Sequence, residues 1–128
     1  MTLVDTSALY ALVSATDTHH RAAAAAFPEL ARSTDLVCHN YIVVETTAIL
    51  GKRLGRDAVR DLHERILAPI PLMWVDERAH SAAVSALLAS RGPSFVDLVS
   101  FEVMRRLGIE RAFAFDPHFA EYGFELVP

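Results

Sequence analysis

Residues 3–10 read LVDTSALY. An apolar start meets Asp5, then the hydroxyls of Thr6 and Ser7, then a helical pattern. The stretch predicts a strand over 2–5 that passes directly into a helix over 6–15, the opening of an α/β unit. A carboxylate placed where the first strand stops has two explanations. Asp5 can cap the helix, because an Asp side chain accepts hydrogen bonds from the free amides of a first turn. It can also face a ligand, since open α/β sheets bind ligands at the carboxyl ends of their strands. One element alone does not separate the two.

The alternation continues along the chain. A helix around His19–Leu30, rich in alanine, is followed by a short strand at Leu36–Cys38 and a helix over 41–54. Arg56 or Asp57 opens a further helix that stops at Ala68, before Pro69. IPLMWV (70–75) reads as a buried strand and Glu77–Ser90 as a helix. Arg91-Gly92-Pro93 is a break, after which Ser94 opens a helix to Leu107 with Gly108 as its stop. RAFAF (111–115) reads as a strand, Asp116-Pro117 as a turn and FELV (124–127) as an edge strand. The pattern predicts one α/β domain over 1–128, with a mainly parallel central sheet flanked by helices. Trp74, Met73, Met104 and the phenylalanines are expected in its core.

A chain of 128 residues with 52% hydrophobic and 22% charged residues is long enough to bury a core. No apolar run approaches a membrane span, and the early Asp5 argues against a secretory signal. Cys38 is the single cysteine, which excludes an internal disulfide or a cysteine-cluster zinc site and fits a reducing cytoplasm. The net charge of −4 runs against a nucleic-acid binder. Acids gathered in one metal site would produce the same total and leave the remaining surface free. All but one of the basic residues are arginine, which suits bidentate phosphate contacts.

Three further acids stand in unusual places. Glu45 is the only charged residue between Asp35 and Lys52. At roughly 100° per residue it projects between Tyr41, Ala48 and Ile49. A carboxylate on so apolar a helix needs an arginine partner or a metal ion. On SFVDLVSFEVMRRL, Glu102, Arg105 and Arg106 share a polar face, whereas Asp97 lies on the stripe of Ser100, Phe101 and Met104 and points inward. A capping box with Ser94 accounts for Asp97 equally well. Asp116 follows its strand as Asp5 follows its own, and Asp-Pro is a common cap pair. Together the four describe two strand ends and two inward helix positions that can converge on one cleft. Such a cluster raises its own pKa values unless a divalent cation neutralises it, and oxygen ligands favour Mg²⁺ or Mn²⁺.

None of the six histidines forms an HExxH pattern, and surface or capping roles fit them better than catalysis; His118 stands out by its closeness to Asp116. Arg53, Arg56 and Arg60 fit either a solvated helix face or contacts to RNA phosphates.

The stretches LVDTSALYAL, HNYIVVETTAILGKRLG, SFVDLVSFEVMRRLGI and FAFDPHFAEYGFELV follow one another at a family-like spacing over nearly the whole chain. In them the sequence resembles the PIN-domain ribonucleases, and more narrowly the VapC-like toxins of type II toxin–antitoxin systems. The resemblance implies an acidic site of Asp5, Glu45, Asp97 and Asp116, supported by the hydroxyl of Thr6 or Ser7. It also implies Mg²⁺- or Mn²⁺-dependent cleavage of RNA, homodimerisation and inhibition by a small antitoxin protein. Ala114 departs from the pattern, because many relatives carry a hydroxyl residue there. Two other functions compete. A PIN-like module can bind a protein partner without chemistry. A phosphatase of the haloacid-dehalogenase kind would phosphorylate Asp5, but it wants a second acid two residues on, where this chain has Ser7.

Overall fold

The computed structural model describes residues 1–128. Five strands form one sheet: β1 (Thr2–Val4), β2 (Leu36–His39), β3 (Leu72–Met73), β4 (Arg111–Phe113) and β5 (Glu125–Val127). Their order is β3-β2-β1-β4-β5, and every pairing is parallel. Leu3 of β1 pairs with Val37 on one side and Ala112 on the other. β1 and β2 are buried along their whole length, as expected of central strands covered on both faces.

Seven helices supply those covers: α1 (Thr6–Val13), α2 (His20–Ser33), α3 (Asn40–Arg53), α4 (Arg56–Asp61), α5 (Glu77–Ala89), α6 (Phe95–Leu107) and the short α7 (His118–Glu121). α2 continues through Pro28, three residues beyond the expected end at Leu30. The helix expected to reach Ala68 ends as a π-helical turn, Leu62–Ile66, closed by a bond from the Leu67 amide to the Leu62 carbonyl. α6 carries both of its expected terminators. Ser94 and Asp97 form a reciprocal capping box, and Gly108 leaves the helix at φ +68°, a conformation that favours glycine. No helix is long and apolar enough to cross a membrane.

The segment 70–75 corrects the expectation of a buried strand. Only Leu72 and Met73 pair, with β2, and Leu72 is exposed. Trp74 is 76% exposed and does not belong to the core. The strand lies at the sheet edge after Pro69 and Pro71, where one flank has no partner; Ile70 is buried and Val75 packs against the core, whereas Leu72 and Trp74 are exposed. Met73 is half-buried against the core, while Met104 is fully buried. Of the seven phenylalanines, Phe101, Phe113 and Phe119 are fully buried and Phe27, Phe95, Phe115 and Phe124 are half-buried against the core; Phe101 stacks on Tyr122 and Phe124.

Candidate metal centre

β1 and β4 stop early. β1 ends at Val4 and β4 at Phe113, so Asp5, Phe115 and Asp116 are released together at the carboxyl edge of the sheet. There they line an open cavity of about 450 Å³, with Glu45 entering from α3 and Asp97 from α6. All four expected acids therefore face one space. Asp17 lines it too, so five of the 16 acidic residues meet there, enough to account for the negative net charge of the chain.

Asp5 caps its helix and also lines the cavity. Its backbone is extended, and its Oδ2 accepts hydrogen bonds from the Ser7 amide at 3.1 Å and the Ser7 hydroxyl at 2.7 Å. The side chain caps α1 while facing the cavity. Burial pushes its pKa from 3.8 up to about 7; the bonds from Ser7 oppose the rise, and the charge of Asp97 adds to it. Ser7 Oγ also accepts a bond from the Phe115 amide at 2.9 Å, which ties the ends of β1 and β4 to each other. Of the two expected supporting hydroxyls, Ser7 is thus the one bonded to the acid. Thr6 Oγ1 is buried with no hydrogen-bond partner in the chain.

Asp97 likewise combines cap and cavity. Its Oδ2 accepts from the Ser94 amide at 3.1 Å, yet the side chain is buried on the inward stripe, as its spacing predicts. Burial first and the neighbouring Asp116 second raise its pKa to about 6. Asp116 Oδ1 accepts from the His118 amide at 2.9 Å, so the turn expected at Asp116-Pro117 folds the His118 ring back over the acid. His118 Nδ1 comes to 3.1 Å from Asp116 Oδ1 and 3.5 Å from Asp97 Oδ2 without the direction of a hydrogen bond, and is itself unpartnered. One donor atom from each of these three side chains falls within 4.8 Å of the others. The chain supplies no lysine or arginine ion pair to Asp5, Glu45, Asp97 or Asp116.

This arrangement fits a divalent cation. Carboxylates with raised pKa values converge with a ring nitrogen and a hydroxyl that lack partners, and no cationic side chain neutralises them. His118 is the member that sequence reasoning flagged without assigning to the site; its signal was the spacing Asp-Pro-His, which sets the imidazole one tight turn from the acid. Glu45 is half-buried at the cavity wall and stands outside the compact group of three. Arg53 is the only lysine or arginine lining the cavity, and its guanidinium lies 5.7 Å from the Tyr10 ring centroid. Arg60 instead pairs with Asp57 and Glu64 on the solvated side of α4. Ala114 is buried and brings no polar side-chain atom to the site.

A parallel α/β sheet with acids gathered at the carboxyl ends of its central strands makes this an α/β domain with a candidate cation site at that edge. The sequence matches the PIN domain family over residues 2–125, and the chain belongs to that family. It is 34% identical over 127 residues to the 23S rRNA-specific endonuclease VapC20 of Mycobacterium tuberculosis, in both strain CDC 1551 and strain H37Rv, covering 97% of this chain and 95% of the relative. The crystal structure of the M. tuberculosis VapC20, described as a sarcin–ricin loop cleaving toxin, superimposes with a TM-score of 0.86 at 31% identity over 97% of this chain and 96% of that one. FitAcB from Neisseria gonorrhoeae shares the fold, with a TM-score of 0.73 at 14% identity over 100% of this chain and 97% of that one.

Proposed function

We propose that this chain is a divalent-metal-dependent endoribonuclease, the toxin of a toxin–antitoxin pair, and that its substrate is a structured loop of ribosomal RNA. The observation that carries the reading is the convergence of Asp97, Asp116 and His118 within 4.8 Å, beside a buried Asp5 whose charge no cationic side chain balances. Similarity to a 23S rRNA-specific endonuclease over almost the full length supports the substrate class.

In this account Asp5, Asp97 and Asp116 present carboxylate oxygens to Mg²⁺ or Mn²⁺, His118 adds a ring nitrogen, and Glu45 acts directly or through a water. A bound divalent cation supplies an acidified water and neutralises charge on the phosphoryl oxygens. The chain does the positioning. Ser7 fixes the Asp5 carboxylate and joins it to the end of β4. The Ser94 cap holds Asp97 in the first turn of α6. Arg53, steadied against Tyr10, offers the one fixed cation at the cavity wall for an RNA phosphate. A small antitoxin protein is the proposed inhibitor and a homodimer the proposed assembly.

The test is cleavage of an RNA hairpin carrying the sarcin–ricin loop. The wild type cuts it with Mg²⁺ or Mn²⁺ and not in EDTA, and Asp5→Asn and Asp97→Asn remain folded without cutting. Undiminished cleavage by both variants in EDTA would overturn the proposal.

A further inference from the structure

The acidic cavity has one wall of a different chemistry. Phe115, the residue before Asp116, is half-buried, and the His19 ring lies on it with centroids 4.4 Å apart and planes 9° from parallel. Phe115 is backed from the core by Phe113, which meets it at 64° with centroids 6.2 Å apart, and Phe113 in turn stacks against Phe27. A ladder of rings thus runs from the interior to the cavity and ends on His19, which is exposed. The backbone beneath both upper rungs is hydrogen-bonded. The Phe115 amide is bonded to Ser7 Oγ, the same oxygen that donates to Asp5. The His19 amide is bonded to Asp17 Oδ1 at 2.8 Å.

A flat, exposed ring at the mouth of an acidic cavity, stacked on one side against Phe115, can offer its other face to a base. Unpaired bases of RNA are held by stacking on aromatic or histidine rings, and the interaction tolerates any base because every base has a π-face. We propose that the His19–Phe115 stack is a nucleobase platform, on which an unpaired base next to the scissile phosphate continues the ladder. The inference rests on the RNA-cleavage reading above and adds the group that seats the substrate. Because Phe115 and Asp116 are adjacent and Ser7 bonds to both Phe115 and Asp5, the platform sets the distance between the seated base and the acidic group. His19 is then a substrate-positioning residue that touches no metal.

The experiment compares His19→Ala, His19→Leu and His19→Trp with the wild type. With the RNA hairpin and Mn²⁺, His19→Ala and His19→Leu raise KM about 5- to 100-fold, as loss of one stacked base predicts, and leave kcat nearly unchanged. His19→Trp restores KM. Thermal stability and Mn²⁺ affinity stay at wild-type values in all three. If His19 merely shields Phe115 from water, leucine restores KM as well as tryptophan does, and that result overturns the proposal, as does a wild-type KM for His19→Ala. A second measurement needs no cleavage: in EDTA, a fluorescent aminopurine placed in the hairpin loop is quenched by the wild type and not by His19→Ala. Quenching that depends on His19 in a chain that cuts no RNA would remove the nuclease reading and keep the platform. Cleavage with no dependence on His19 would remove the platform alone.

Discussion

Ser7 Oγ sits 2.7 Å from Asp5 Oδ2 and 2.9 Å from the Phe115 amide, so one hydroxyl fastens the buried acid to the end of the neighbouring strand. A hydrogen bond to a carboxylate is stronger than one between neutral groups, and this one opposes the rise that burial imposes on the Asp5 pKa. Ser7→Ala is therefore expected to weaken Mn²⁺ binding and RNA cleavage by roughly 10- to 100-fold, the usual cost of losing an outer partner of a ligand. Calorimetric titration and single-turnover cleavage of the hairpin check it.

The raised pKa values of the buried acids predict a dependence of the metal-free protein's stability on pH. Asp5 ionises near 3.8 when unfolded and near 7 when folded, so between those values the folded chain holds the proton more tightly. Stability from this group is present below 3.8 and is lost as the pH rises through 7, a loss on the order of a few kcal/mol. Asp97, raised to about 6, acts in the same direction. His39 acts oppositely below 6.5, because burial lowers its pKa to about 4. Asp5→Asn isolates the first effect: in EDTA at pH 7.5 it melts several degrees above the wild type, and the difference fades toward pH 4. Asparagine still caps α1, so a lower melting temperature at pH 7.5 would contradict the account.

Asp97 carries two functions that substitution can separate. Asp97→Asn keeps an oxygen for the Ser94 amide and removes the charge, whereas Asp97→Ala loses both. The first is expected to be at least as stable as the wild type in EDTA at neutral pH, because the costly charge is gone, and to lose more than about 100-fold in cleavage, beyond the loss of an outer partner. The second loses the same activity and about 1 kcal/mol of stability besides, read by urea denaturation.

The correction at 70–75 has its own test. Trp74 is 76% exposed, so Trp74→Ser is expected within about 0.5 kcal/mol of the wild type. Phe101, fully buried between Phe119, Tyr122 and Phe124, is expected to cost about 3–5 kcal/mol as Phe101→Ala.

Where sequence and structure agree, the reason is that local physics and the fold ask for the same thing. The 3.6-residue stripe on α6 placed Asp97 opposite Glu102, and the helix does bury Asp97 while Glu102 pairs with Arg106. The stretches 2–4 and 36–38 read as strands because nothing breaks them, and both are buried. The segment 70–75 misled because an apolar run does not say whether it lies at the centre or the edge of a sheet. His118 was legible only as a neighbour in sequence. Its place beside Asp97 depends on how α7 packs against α6, a relation between elements that no local pattern contains. The same holds for His19, whose stacking partner is 96 positions away along the chain.

The central claim is that Asp97, Asp116 and their neighbours hold the cation on which catalysis depends. Calorimetric titration of the purified chain with Mn²⁺ tests it most directly. The account predicts saturable binding by the wild type that Asp97→Asn and Asp116→Asn each abolish while the melting temperature in EDTA is not lowered. Mn²⁺ binding that is the same in both variants as in the wild type would contradict it.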